Sequence, residues 1–295
     1  MKYFNNSFDL DYITTPVVVF QVIVIKGAVM LSFKKLPLSL SILLSSTFVS
    51  GASLHNPKIE HQPKDGVVTV FGPGGPHTAL IRAGKAFQKK TGTKVEVVFG
   101  PEYKWTEDAQ KTADIIFGSS EQSMTAFTEN YKFFDEKDVE PIYIRPAVII
   151  VKEGNPKKIT GFKDLLKPGM KVVVTEGKGV YNTSGTGVWE DIAGRLGKLE
   201  DVKKLRPNIV SYEKGSGASF RAFKEKEADA WITWAHWALN NADKTDYVEI
   251  EPERRIYRDM NIAISTKADK EATKFAEFLK SKEALKIFES EGWKK

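Results

Sequence analysis

Two rhythms of hydrophobic positions follow one another along this chain. Val67-Val68-Thr69-Val70-Phe71 is a run of β-branched and aromatic residues and predicts a strand, which Gly72-Pro73-Gly74-Gly75-Pro76 stops. From 77 to 90 the spacing becomes helical, with Leu80, Ala83 and Phe87 on one face. Gly92 ends that helix, and 94–99 predicts the next strand. Strand, glycine-rich turn, helix and strand make a βαβ unit. The order recurs. Residues 113–117 predict a buried strand, Gly118-Ser119-Ser120 a turn, and 121–130 a helix. A long apolar strand over 142–152 is interrupted by Pro146, and short helical and extended segments lead to a strand at 171–175. A helix over 183–196 opens on Thr183-Ser184-Gly185-Thr186-Gly187. Strands at 209–210, 228–233, 247–250, 255–257 and 261–265 alternate with helices at 217–226 and 234–240. One long amphipathic helix over 270–289 turns Phe275, Phe278, Leu279, Leu285 and Phe288 inward.

Strands alternating with helices predict an α/β protein whose parallel sheets are covered on both faces. The strands are too many for one small sheet, so two lobes are expected, 66–145 with 246–295 and 146–245. In open sheets of this kind ligands bind beyond the carboxyl ends of the strands, where loops become helix starts.

The amino-terminal region reads as an address. After Met30, Lys34 and Lys35 precede an apolar stretch over 36–49, and Ser50-Gly51-Ala52 supplies the small residues of a cleavage site. This pattern predicts a signal peptide with Ser53 as the first mature residue and 53–65 as a flexible stretch. Residues 1–29 do not fit it; a start at Met30 is the plainest account of them, and a two-part leader or an anchor is the competing one. Of the formal charge of +6, residues 1–52 carry +2, and the rest is dispersed. No basic block of the kind nucleic acid requires is present. With no cysteine in 295 residues, disulfides, thiolate metal sites and a lipidated amino terminus are excluded.

Three loops share one chemistry: Gly74-Gly75-Pro76-His77-Thr78, Ser119-Ser120, and Thr183-Ser184-Gly185-Thr186-Gly187. Each opens a helix and offers hydroxyls and unpaired amides, which suit an oxyanion. Gly215-Ser216-Gly217 is a fourth loop of the same type, with Ser216 as its donor. Taken singly, a serine or threonine before a helix is an ordinary cap. Three in one chain point to a site. Arg145 reads equally as a bidentate clamp for an acid group and as an ion-pair partner. Trp234, just past a strand, is placed to wall a cleft, whereas Trp231 and Trp237 read as packing.

Enzyme signatures are missing. There is no Gly-x-Ser-x-Gly elbow, and Gly84-Lys85 and Gly197-Lys198 lack the Ser or Thr of a phosphate-binding loop. His55, His61, His77 and His236 show no metal-ligand spacing. The reading therefore names no catalytic residue, cofactor or metal.

Several strings resemble the accessory colonization factor AcfC family: the segment from Val70 through Gly72-Pro73-Gly74-Gly75-Pro76-His77-Thr78 to Leu80, Ala113-Asp114-Ile115-Ile116-Phe117-Gly118, the segment from Asn182 to Asp191, Asp229-Ala230-Trp231-Ile232-Thr233-Trp234, and Gly292-Trp293. The likeness covers 67–293. It implies a two-lobed type II periplasmic binding-protein fold of the molybdate- and sulfate-binding kind, hinged like a Venus flytrap. The implied ligand is a small anion such as phosphoglycerate, citrate or sulfate. The implied partners are an ABC-type permease, a second copy in a homodimer, and a host-cell surface. The implied location is periplasmic, surface-exposed or secreted. Two departures from the family pattern are Glu102 and Lys104 in Gly100-Pro101-Glu102-Tyr103-Lys104-Trp105, and His236 in Trp234-Ala235-His236-Trp237. The competing function is that of an adhesin or antigen using the same fold as a scaffold.

Overall fold

The computed structural model describes residues 21–25, 28–32, 55–64, 66–176 and 187–295. The chain divides between Ala52 and Ser53 into two units. In the first, β1 (Gln21–Ile25) and β2 (Ala28–Ser32) pair antiparallel. The apolar stretch 36–49 and Ser50-Gly51-Ala52 lie outside the described residues.

The second unit is built on nine strands in the order β4-β3-β5-β11-β6-β9-β7-β8, with β10 also paired to β6. In its first half, β3 (Val67–Gly72) runs parallel to β4 (Lys94–Phe99) and β5 (Ile115–Gly118). Its second half has β7 (Val172–Glu176) parallel to β8 (Ile209–Lys214) and β9 (Ala230–Trp234). Two crossing strands join the halves. β6 (Glu140–Lys152) pairs antiparallel with β11 (Tyr257–Ile264) up to Pro146, and from Ala147 onward with β9 and with β10 (Thr245–Glu249). The sheet is thus parallel at its outer strands and antiparallel at the seam, because the connecting strands must return across it.

Alternation along the strands sorts side chains into a layer on each face. In the first half Val70, Ile115 and Phe117 pack under α1 (His77–Thr91), α8 (Lys270–Leu279) and α9 (Lys282–Glu289). Phe71 and Ile116 face the other way, with Trp105, Phe127 and Tyr131 near α2 (Thr106–Thr112) and α3 (Glu121–Asn130). In the second half Ile149, Val174 and Ile232 pack with Phe162 and Ile192, the latter on α4 (Trp189–Gly194) below α5 (Leu199–Leu205). On the opposite face Ile150, Val173 and Trp231 pack with Phe223 of α6 (Ser216–Glu225), next to α7 (His236–Leu239).

Helices α2 and α5 were not expected, and four further differences stand out. The helix expected over 270–289 is two helices, because Ser281 caps the second by accepting from the Ala284 amide. The apolar stripe runs on through the break, which is why the sequence reads as one helix. Pro146 does not interrupt β6; it falls where the strand changes neighbours, and the next amide, Ala147, donates to the Ile256 carbonyl at 2.8 Å. The two strands expected over 255–265 are one, β11, whose register shift at Met260/Asn261 absorbs the irregularity. Of the stretch expected to be flexible, 55–64 is tied down. His61 stacks on Phe133 at 3.5 Å, donates from Nδ1 to the Gln110 carbonyl and accepts at Nε2 from Ser265. Both its ring nitrogens are occupied.

Glu102 lies in the turn after β4, half-buried beside Tyr131. Burial pushes its carboxyl up to about 7, against the opposing hydroxyl of Tyr131. A raised carboxyl favours the folded state below about pH 4.5, and that contribution is lost as pH rises through 7. Glu102→Gln should therefore raise stability at pH 8, by up to about 3 kcal/mol, while leaving pH 4 unchanged. Urea melts at the two pH values check this, and an equal effect at both would exclude the buried carboxyl.

Candidate functional site

Arg145 occupies the position on β6 just before the strand changes partners, so it lies on the seam between the two halves. It is 2% exposed. Its guanidinium carbon sits 4.3 Å from the ring centre of Trp234, at the end of β9, and 4.8 Å from that of Trp293. Such contacts contribute about 0.5–2 kcal/mol each. Among the described residues no carboxylate lies within 4 Å of the guanidinium, and Nε, Nη1 and Nη2 have no hydrogen-bond partner. Burial pushes its pKa down to about 9, reinforced by Arg258 and opposed by Asp259. A fall from 12.5 corresponds to roughly 5 kcal/mol of unfavourable environment for the charged form. The two indoles do not offset this fully. An arginine held at such a cost is poised for an anion that comes from outside the chain.

Other groups converge on it. A Cβ placed on Gly75 would lie 2.7 Å from Arg145 Nη1 and 2.9 Å from Ser119 Oγ, so the β3–α1 loop, the β5–α3 loop and Arg145 meet at that point. Glycine is required there because a side chain would fill the space a ligand needs. The Ser119 hydroxyl is fully buried without a partner. The Trp293 indole N–H and His236 Nδ1 are buried and unpartnered as well. This concentration of orphaned polar atoms on one seam defines the site.

The remaining predicted residues divide. Trp234 lies with its ring against the Arg145 guanidinium. Ser120 serves as the cap of α3, accepting from the Ser123 amide while the Ser123 hydroxyl accepts from the Ser120 amide, so its oxygen is engaged and the plain capping role holds. Gly74 accepts from His77 Nδ1, which leaves the neutral ring an acceptor at Nε2 rather than a donor, stacked on Phe99 at 3.8 Å. Pro76 caps α1 without a side-chain bond. The Thr78 hydroxyl donates to Glu291 and accepts from Asn240 at 3.4 Å, fastening α1 to the carboxyl-terminal segment and to α7 instead of facing Arg145. Ser216 opens α6 after β8, which lies beyond β9 and β7 from Arg145. Gly187, at φ 89°, leads into α4. Thr183, Ser184, Gly185 and Thr186 lie outside the described residues.

Sequence reasoning overlooked Trp293 and His236. Trp293 arrives because the Lys294 amide and carbonyl pair with Ile144, at 2.7 and 2.8 Å, laying the carboxyl-terminal segment along β6. Gly292, at φ 81°, permits the close approach, since a Cβ would sit 2.8 Å from that of Ala235. The Gly-Trp pair was the available signal. A second cation, Arg258, lies opposite Arg145 on β11 and is drawn to Asp191 of α4 at 3.6 Å. Neighbouring Asp259 has its pKa raised, by burial first and then by the carboxyl of Glu121. Among the described residues no cluster of His, Asp or Glu could hold a metal ion.

Residues 68–294 match the family model of bacterial extracellular solute-binding proteins. The chain belongs to that family. This solute-binding protein is similar to Peb3 from Campylobacter jejuni, at 43% identity and a TM-score of 0.71 over 77% of this chain and 99% of that one. A PEB3 structure with bound L-phospholactate gives 44% identity and a TM-score of 0.73 over the same shares. The sulfate-binding protein of Escherichia coli K12 is 28% identical over 148 residues, 45% of this chain and 44% of that protein. The chain thus spans under half the length of the curated relatives it matches. These likenesses establish the two-lobed binding-protein fold, and no described helix is long and apolar enough to cross a membrane.

Arg145→Met keeps the apolar packing between the indoles and removes the buried charge. It should stabilise the unliganded protein by about 1–3 kcal/mol and abolish any stabilisation by added anion. Chemical denaturation with and without anion tests both, and a variant that still responds to anion would remove Arg145 from the site.

Proposed function

We propose that this protein captures a small, multiply charged oxyanion, of the phosphorylated or carboxylated metabolite class, between its two halves. The observation that carries this is the fully buried, unpaired Arg145 guanidinium, ringed by the unpaired Ser119 hydroxyl and Trp293 indole N–H. Arg258 supplies a second positive charge on the facing strand. Two cations and several neutral donors suit a dianion, and charge-assisted bonds to a guanidinium are the stronger kind. Thr183, Ser184, Gly185 and Thr186, outside the described residues, are proposed as further anion donors. The phospholactate complex of a relative at 44% identity supports the phosphorylated class.

Within this reading the protein works outside the cytoplasm and hands its ligand to an ABC-type permease.

Thermal unfolding of the purified protein against L-phospholactate, 3-phosphoglycerate, citrate, sulfate and molybdate tests the proposal. A ligand at about one hundred times its Kd adds roughly 2.7 kcal/mol of stability. We expect that shift with a phosphorylated acid and its loss in Gly75→Val, whose side chain enters the space between Arg145 and Ser119. No shift with any member of the panel would overturn the reading.

A further inference from the structure

We propose that His236 is the anion-holding residue contributed by the second half, that it holds the ligand as an imidazolium, and that each capture event therefore takes up one proton. The inference deepens the proposed function and rests on it.

His236 opens α7, two residues after Trp234, whose ring lies against the Arg145 guanidinium at 4.3 Å. It is 5% exposed, with Nδ1 buried and without a hydrogen-bond partner. A buried imidazole nitrogen normally finds a partner, and leaving one unpaired costs about 1–3 kcal/mol. The charged groups that act on it are Arg145 from β6 and His77 from α1, and both disfavour its protonation, as does burial. No carboxylate is among them. His77 cannot take over the role, because its Nδ1–H is committed to the Gly74 carbonyl. Without ligand, His236 is neutral in a pocket whose fixed positive charges are those of Arg145 and, on the facing strand, Arg258.

A dianion placed against Arg145 reverses the sign of the local field. Both the charge of the ligand and a hydrogen bond from Nδ1–H favour the imidazolium, so the ring's pKa rises on binding. In the window between the unliganded and liganded pKa values, a proton enters with the ligand. Affinity then falls by about tenfold for each pH unit gained, because one proton is linked to one ligand. Below that window the ring is charged in both states, and above it in neither, so affinity is independent of pH on both sides. Such a residue favours ligands with two or more charges, since each added negative charge strengthens the hold on the proton.

The test is calorimetric titration of the intact protein with L-phospholactate and with sulfate, at pH 6.5 and 8, in buffers of different ionisation heat. Sulfate has no proton to exchange in this range, so uptake measured with it belongs to the protein. A binding heat that varies with buffer heat, with a slope near one proton, is expected at the lower pH. His236→Asn retains a donor near the Nδ1 position without titrating. It should bind about tenfold more weakly than the native protein at pH 6.5, converge with it at higher pH, and show no proton uptake. His77→Gln should still take up the proton. Binding with buffer-independent heats at both pH values, or uptake that persists in His236→Asn, overturns the inference and leaves the anion-capture reading intact. The absence of any binding heat for either probe overturns that reading and this inference with it.

Discussion

A guanidinium buried between two indole rings with no acid to balance it is the constraint around which this protein is arranged. Folding alone does not favour it, because desolvating the charge costs more than the rings return. Its position explains why the rest must be as it is. Arg145 stands at the one place where β6 leaves the first half of the sheet and enters the second. One ring, Trp234, belongs to the second half, and the other, Trp293, to the segment laid along β6 by Lys294. Any movement of the halves against each other alters the surroundings of the charge. The two halves thereby meet at a single buried charge.

The loops around this centre divide the work between holding the fold and meeting the ligand. Adjacent serines show it clearly. Ser120 spends its hydroxyl on the first turn of α3, while Ser119 keeps an uncommitted one inside the cleft. Thr78 and Glu291 tie the start of α1 to the carboxyl-terminal segment, and Asn240 adds the link to α7. These bonds keep the Gly74-Gly75 turn close to Arg145, so the pocket shape is set before ligand arrives. Pre-formed geometry of this kind spares the ordering cost that a mobile loop would impose on binding.

Periodicity made most of the fold legible. The βαβ opening is written in the alternation of 67–72 and the helical stripe after it. The glycine-rich turns marked where strands end, and Gly75, Ser119, Arg145 and Trp234 do come together. The break between α8 and α9 was hidden because Ser281 interrupts an apolar stripe that keeps its phase on both sides. The separate roles of Ser119 and Ser120 were equally hidden, since capping depends on which hydroxyl the turn aims at the helix. Trp293 and His236 were out of reach for a different reason: their importance comes from pairing between segments some 150 and 90 positions from Arg145, which no local pattern encodes. His236 did carry one signal, as a departure from the family pattern, but its meaning needed the neighbouring charges.

The seating of residues 291–294 has a consequence for how the protein is made. The cleft draws one wall from near position 75, its charge from 145, and its floor from 293. During synthesis a chain grown as far as residue 290 already contains every strand of the sheet, yet it holds Arg145 with one face bare. The last contacts to form are also among the most distant in sequence, which slows their closure relative to local structure. Trp293 therefore reaches Arg145 only after every strand of the sheet has been made.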